Sequence, residues 1–139
     1  MSIGQGPKWR CSYHQYTKAL DDAAATDATA ETPIHRVRFR ERILRAAYIP
    51  SAALTANDTN YATLTFAKRD AADTQTVLNS FTTKITGGTG DWVARVAEEF
   101  TLTTGLDLNT GDTLTLTIAK AAAGVVIPAG TLEVETEEL

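Results

Sequence analysis

The hexapeptide Thr113-Leu114-Thr115-Leu116-Thr117-Ile118 alternates polar and apolar residues without a break. A period of two puts Leu114, Leu116 and Ile118 on one face of an extended chain and the threonines on the other, the signature of a strand with one buried face. A helix would scatter the same residues around its circumference. Threonine is β-branched and suits a pleated surface, and Thr and Ala together make up about a third of the 139 residues, far above ordinary usage. The pattern recurs along the chain. Tyr61 to Lys68 sets Leu64 and Phe66 against Thr63 and Thr65, Val77, Phe81 and Ile85 fall at even spacing, and Phe100/Leu102 and Leu132/Val134 give two further pairs. Nearer the N-terminus, Lys8 to Tyr16 places Trp9, Cys11 and Tyr13 on one face. His35 to Arg42 alternates basic and apolar residues, and Ile43 to Ile49 is an apolar stretch stopped by Pro50.

Between these runs stand turn formers: Asn57-Asp58-Thr59-Asn60, Gly87-Gly88-Thr89-Gly90, Asn109-Thr110-Gly111-Asp112 and Pro128-Ala129-Gly130. Many short strands with regular breakers predict an all-β protein, an antiparallel β-sandwich of about eight strands, jelly-roll-like, in one domain over residues 1–139. Residues 17–32 are rich in Ala, Asp and Thr and lack an apolar stripe. They read as a long N-terminal surface connection or arm.

A net charge of −4 argues against nucleic-acid binding through bulk charge, and no apolar run approaches the length of about 18 residues that a membrane helix needs. The first ten residues contain no apolar h-region, so no ordinary secretory signal is expected. Cys11 is the single cysteine, which leaves no intrachain disulfide to form.

Chemistry-bearing groups are few. His14 and His35 are the two histidines, and Cys11 and His14, three apart in a strand, point to opposite faces and cannot share a ligand. Asp107 to Asp112 resembles the start of a calcium loop but has Gly111 at its fifth position and Ile118 at its twelfth, so a plain turn is expected. The glycine cluster Gly87 to Gly90 lacks the Gly-Lys-Ser/Thr of a phosphate loop. The adjacent carboxylates Asp21/Asp22, Glu98/Glu99 and Glu137/Glu138 do not converge by local geometry. These readings predict no catalytic residue, no cofactor and no metal, hence a non-enzymatic protein.

The distinctive feature is charge placement. Arg36, Arg38, Arg40 and Arg42 alternate, with Arg45 just beyond, while Glu133, Glu135 and Glu137 alternate near the C-terminus. The two rows form the candidate interface, read as meeting each other or a partner surface.

Four stretches carry a family resemblance: Tyr48 to Leu64, Lys68 to Ala72, Gly111 to Leu116 and Gly124 to Leu132. They resemble structural proteins of tailed bacteriophages, of the capsid decoration (cement) or head-fibre β-sandwich type, and the resemblance covers roughly Ile43 to Glu135. The resemblance implies a virion surface protein made in the bacterial host cytoplasm. It would bind the major capsid protein and associate as a homotrimer, without nucleic acid or membrane as partner. The alternative of the same architecture is a carbohydrate- or receptor-binding module of a phage tail or fibre. That module would stack sugars on Trp9, Trp92, Tyr13 or Tyr16.

Overall fold

A computed structural model of the chain describes residues 12–139. Its strands are β1 (Tyr13–Leu20), β2 (Ala30–Arg36), β3 (Glu41–Pro50), β4 (Tyr61–Arg69), β5 (Gln75–Thr82), β6 (Glu98–Glu99), β7 (Asp107–Leu108), β8 (Thr113–Ala121) and β9 (Gly130–Glu138). One sheet runs β1-β9-β3, with β6 and β7 both on the far side of β3; the other runs β2-β8-β4-β5. Every pairing is antiparallel. If β6 and β7 count as two pieces of one broken strand, the pairs nest. The first strand pairs with the last and the second with the last but one, down to β4 with β5, and the pairs fall alternately in the two sheets. That nesting is a jelly roll of eight strands, the expected architecture.

The core lies between the sheets and is built by the alternating runs. Leu114 and Leu116 of β8, Leu64 and Phe66 of β4, Leu132 and Val134 of β9, and Ile43, Ala46 and Tyr48 of β3 are all buried. Trp92, from the long connection between β5 and β6, and Phe100, just after β6, fill one flank; the Phe100 ring stacks on Phe81 with centroids 4.5 Å apart. Tyr48 carries its hydroxyl into this interior and donates it to the Pro128 carbonyl at 2.6 Å, which satisfies the buried polar group.

Several expected elements differ in their bounds. β1 ends at Leu20 and β2 begins at Ala30, so the long connection shrinks from 17–32 to residues 21–29. It is tied down by the bridge Ala23↔Ile127, because its backbone finds a ladder partner even though its side chains bury little. Of the first expected strand, Trp9 and Cys11 lie outside the described residues, and β1 begins at Tyr13. Val77 and Ile85 are exposed instead of inward-facing. The β4–β5 ladder shifts between its Phe66 and Ala67 pairs, leaving Leu78 as the extra residue, and Leu78 takes the buried place.

His35 to Arg42 is not one strand. β2 ends at Arg36 in one sheet, residues 37–40 cross over, and β3 starts at Glu41 in the other. Val37 anchors the crossing: its side chain is buried, and its N–H and carbonyl bond to Asp112 and Gly111. A chain that must change sheets cannot keep an unbroken alternation.

The start of β9 is a tight backbone contact. A Cβ at Gly130 would run into the Ile49 carbonyl oxygen and come within 3.0 Å of the Tyr48 ring. The neighbouring atom is ladder backbone, so it has little room to give. Gly130→Ala is expected to destabilise the protein by about 1–3 kcal/mol, the range of overpacking. Urea unfolding of the wild-type and variant chains measures it, and equal midpoints would show that the β3–β9 seam can yield.

Candidate functional site

The fold distributes the arginines unequally. Arg36 ends β2 on one sheet, Arg38 and Arg40 ride the exposed crossing, and Arg42 opens β3 on the other sheet. Only the last of these faces the glutamate row. Across β3 and β9, Arg42 stands opposite Glu137 and Arg45 opposite Glu135, while Glu133 faces Ala47. Within one chain the two rows face each other only at Arg42, opposite Glu137, and Arg45, just beyond the arginine row, faces Glu135. Arg36, Arg38 and Arg40 have no carboxylate within salt-bridge reach among the described residues.

Arg45 is the hub. Its Nη1 donates to Glu133 Oε1 at 2.9 Å and to Glu135 Oε2 at 2.8 Å, and its Nε and Nη2 fork onto Glu99 of β6 at 2.9 and 2.5 Å. Three carboxylates raise the guanidinium pKa, with Glu99 contributing most. A rigid planar fork is what allows one side chain to hold three acids. Arg42 bonds Asp107 of β7 at 2.8 Å, and this guanidinium holds the Asp107 carboxyl below the usual range. Both bonds fasten short strands with few backbone pairs to the edge of β3. The outer face of this sheet still carries more acid than base.

A second cluster lies inside, where β1, β2, β3 and β9 meet. Glu41 is wholly buried; its Oε1 accepts from the Tyr16 hydroxyl at 2.7 Å and from Thr136 Oγ1 at 2.5 Å. Its Oε2 lies 3.6 Å from His35 Nε2, and both atoms are buried without a hydrogen-bond partner. The Tyr16 and His35 rings stack at 3.5 Å between centroids. Burial and the Glu41 hydrogen bond push the Tyr16 hydroxyl up to about 12, so it stays protonated and donates. His14 stands one residue pair away, bonded to Glu138 at 3.0 Å and tilted against Phe39. The cluster closes the sandwich between its two edge strands. Nothing in the sequence marked it: Glu41 sits between Arg40 and Arg42 and reads as one more surface charge.

The remaining candidates are built into turns. Asp112 uses its carboxylate to cap Asn109 N–H at 2.9 Å, so the calcium-like stretch is a tight turn with Gly111 at φ 95°. Asn57 likewise caps the amides of Thr59 and Asn60. Asp22 accepts from Ala129 N–H, whereas Glu98 and Glu99 part, the latter to Arg45. Among the described residues no three His, Cys, Asp or Glu side chains gather as a metal site. Of the aromatics considered for sugar stacking, Trp92 is buried, Tyr16 is covered by His35, and Tyr13 is exposed; Trp9 lies outside the described residues.

No protein-family profile and no curated protein matches the chain. Among solved structures, a chain of infectious bursal disease virus Gx strain overlaps with a TM-score of 0.40 and 13% identity, covering 98% of this chain and 36% of that one. A chain of the Gt strain of the same virus gives 0.40 and 12%, with 97% and 37% covered. This protein therefore spans little more than a third of those chains, an overlap too loose to bear on function.

The interior cluster makes stability depend on pH. Burial depresses the His35 pKa below its ordinary value, with the Glu41 charge opposing and the Arg38 and His14 charges assisting. As pH falls through about 6.5 the unfolded chain takes up this proton first, so stability declines and levels off only below the folded-state pKa. His35→Gln is expected to flatten that decline. Denaturation midpoints at about pH 7.5 and about pH 5.5 test it; an equally steep fall in the variant would assign the effect to other groups.

Proposed function

We propose that this chain is a non-enzymatic structural protein of a virion, one that decorates and stabilises a phage capsid. It would bind the major capsid protein and self-associate as a homotrimer on the capsid surface, after synthesis in the bacterial host cytoplasm. The observation that carries the reading is how the polar groups are spent. Arg45, Arg42, Glu41, Asp112 and Asn57 all act as struts or caps of the sandwich. Arg38 and Arg40, which no carboxylate among the described residues pairs, stand on an exposed crossing suited to contact and not to chemistry, with Arg36 at the end of β2 beside it. The phage-like turn-and-strand stretches from Tyr48 to Leu132 point the same way. They fall on β3, β4, β8, β9 and their connections, which form the frame of the jelly roll.

A decoration protein must add stability to a shell it does not build. Shells assembled from the major capsid protein of the same phage should retain the purified chain on sedimentation and disassemble at a higher temperature with it bound. Shells that neither retain the chain nor gain thermal stability would overturn the reading. Retention on glycan-coated beads instead would favour the tail or fibre module.

A further inference from the structure

The crossing that carries the unpaired arginines has an apolar tip. Phe39 lies between Arg38 and Arg40 and is 38% exposed, although its ring leans on His14. The outer face of the β1-β9-β3 sheet has the opposite arrangement. Tyr13, Glu137 and Arg42 share one row across the three strands, and Gln15, Glu135 and Arg45 the next. Tyr13 is 69% and Leu44 45% exposed there, and with Gln15 and Glu135 they line a depression of about 350 Å³. Glu135 lines the depression and Glu137 stands opposite Tyr13, while Glu133, Glu99 and Asp107 lie farther along this face and its β6 and β7 edge; these five carboxylates share two guanidiniums, those of Arg42 and Arg45.

We infer that the Arg38-Phe39-Arg40 crossing of one copy docks on the Tyr13/Leu44 depression of a second copy, with its arginines against Glu135, which lines it, and Glu137, which stands opposite Tyr13. The order of groups matches on the two surfaces: cation, ring, cation on the crossing, and acid, apolar floor, acid on the face. An aromatic anchor ringed by charges is the anatomy of a specific interface, and opposite potentials set its register. The two patches are unlike, so the contact is heterologous and runs head to tail, and it yields a closed ring when the rotation closes. This inference rests on the self-association in the proposed function and identifies its surfaces.

Charge exchange tests it. One chain carries Arg38→Glu with Arg40→Glu, and a second carries Glu137→Arg, a glutamate outside the Arg45 fan. Sedimentation velocity over a concentration series should show each variant associating at least about tenfold more weakly than wild type. An equimolar mixture should recover association in part, because every junction between unlike variants pairs each patch with its complement, while a three-membered ring keeps one junction between like variants. Far-UV circular dichroism and melting confirm that the variants fold; if the double reversal does not, Arg38→Gln with Arg40→Gln takes its place. Wild-type association should also weaken as salt rises from about 0.01 M to about 1 M, which shortens the screening length from about 30 Å to about 3 Å.

Variants that associate like wild type, or reversals that no mixture rescues, overturn the inference while leaving association through another surface intact. A wild-type chain that stays monomeric at every concentration also overturns it. If that monomer still binds shells, the decoration role stands without this contact.

Discussion

Everything in this sandwich depends on β9 lying between β1 and β3. Residues 130–138 must be in place before residues 13–20 have any ladder partner at all, and before β3 has a neighbour along its full length. Loop closure over more than a hundred residues is an entropic cost that only the completed seam offsets, so the topology makes folding non-local. The interior cluster sits at that seam. Glu41 comes from β3, Thr136 from β9, Tyr16 from β1 and His35 from β2, so the first three strands and the last are joined by one buried carboxylate. A buried carboxylate is costly to desolvate, and two short hydrogen bonds offset only part of that cost. Its value lies in specificity: with Glu41 in any other register, its charge would be buried without those donors.

The strands themselves were legible because their pattern is local. The alternations in Thr113 to Ile118 and Tyr61 to Lys68 need only a period of two and one buried face, and both became central strands of one sheet with the expected residues inward. Turn formers at Asn57, Gly87 and Asn109 broke the chain where it turns. What stayed hidden was anything that depends on the partner strand. The run His35 to Arg42 has a good local pattern, yet the nested pairing requires the chain to change sheets there. Val37 is pinned to the Asp112 turn, and that contact, made across the sequence, breaks the run.

Two inserted residues explain why the candidate site was only half visible. The β2–β8 register shifts between Pro33 and His35, leaving Ile34 as the extra residue. Without the shift His35 would stand opposite Thr113 on the outer face; with it, His35 stands opposite Leu114 and turns inward to Glu41. The β3–β9 register shifts between Ile43 and Arg45, leaving Leu44 extra. Regular pairing would have put Arg45 opposite Val134 and driven a guanidinium into the core. The shift sets it opposite Glu135, where it gathers three carboxylates. A one-residue slip reverses every side chain beyond it, and no composition or spacing rule reveals where the slip occurs.

The same slip gives the outer face its chemistry. Leu44, left over by the bulge, has no inward place and remains on the surface beside Tyr13, supplying the apolar floor of the depression. Arg45, turned outward by the same insertion, neutralises part of the glutamate row without cancelling it. Arg45 alone could not hold that row if like charges two residues apart were left to repel; fastened on one fork, they form an ordered acidic surface. The crossing that interrupts the arginine row, in turn, takes Arg38 and Arg40 out of the β3–β9 ladder, and among the described residues neither forms an ion pair with the glutamate row. The departures from regular strand geometry at residues 37–40 and at Leu44 therefore separate two complementary surfaces that a regular sheet would have paired and silenced within one chain. An association surface requires that separation, because charges already matched inside a subunit have nothing left to offer a second one.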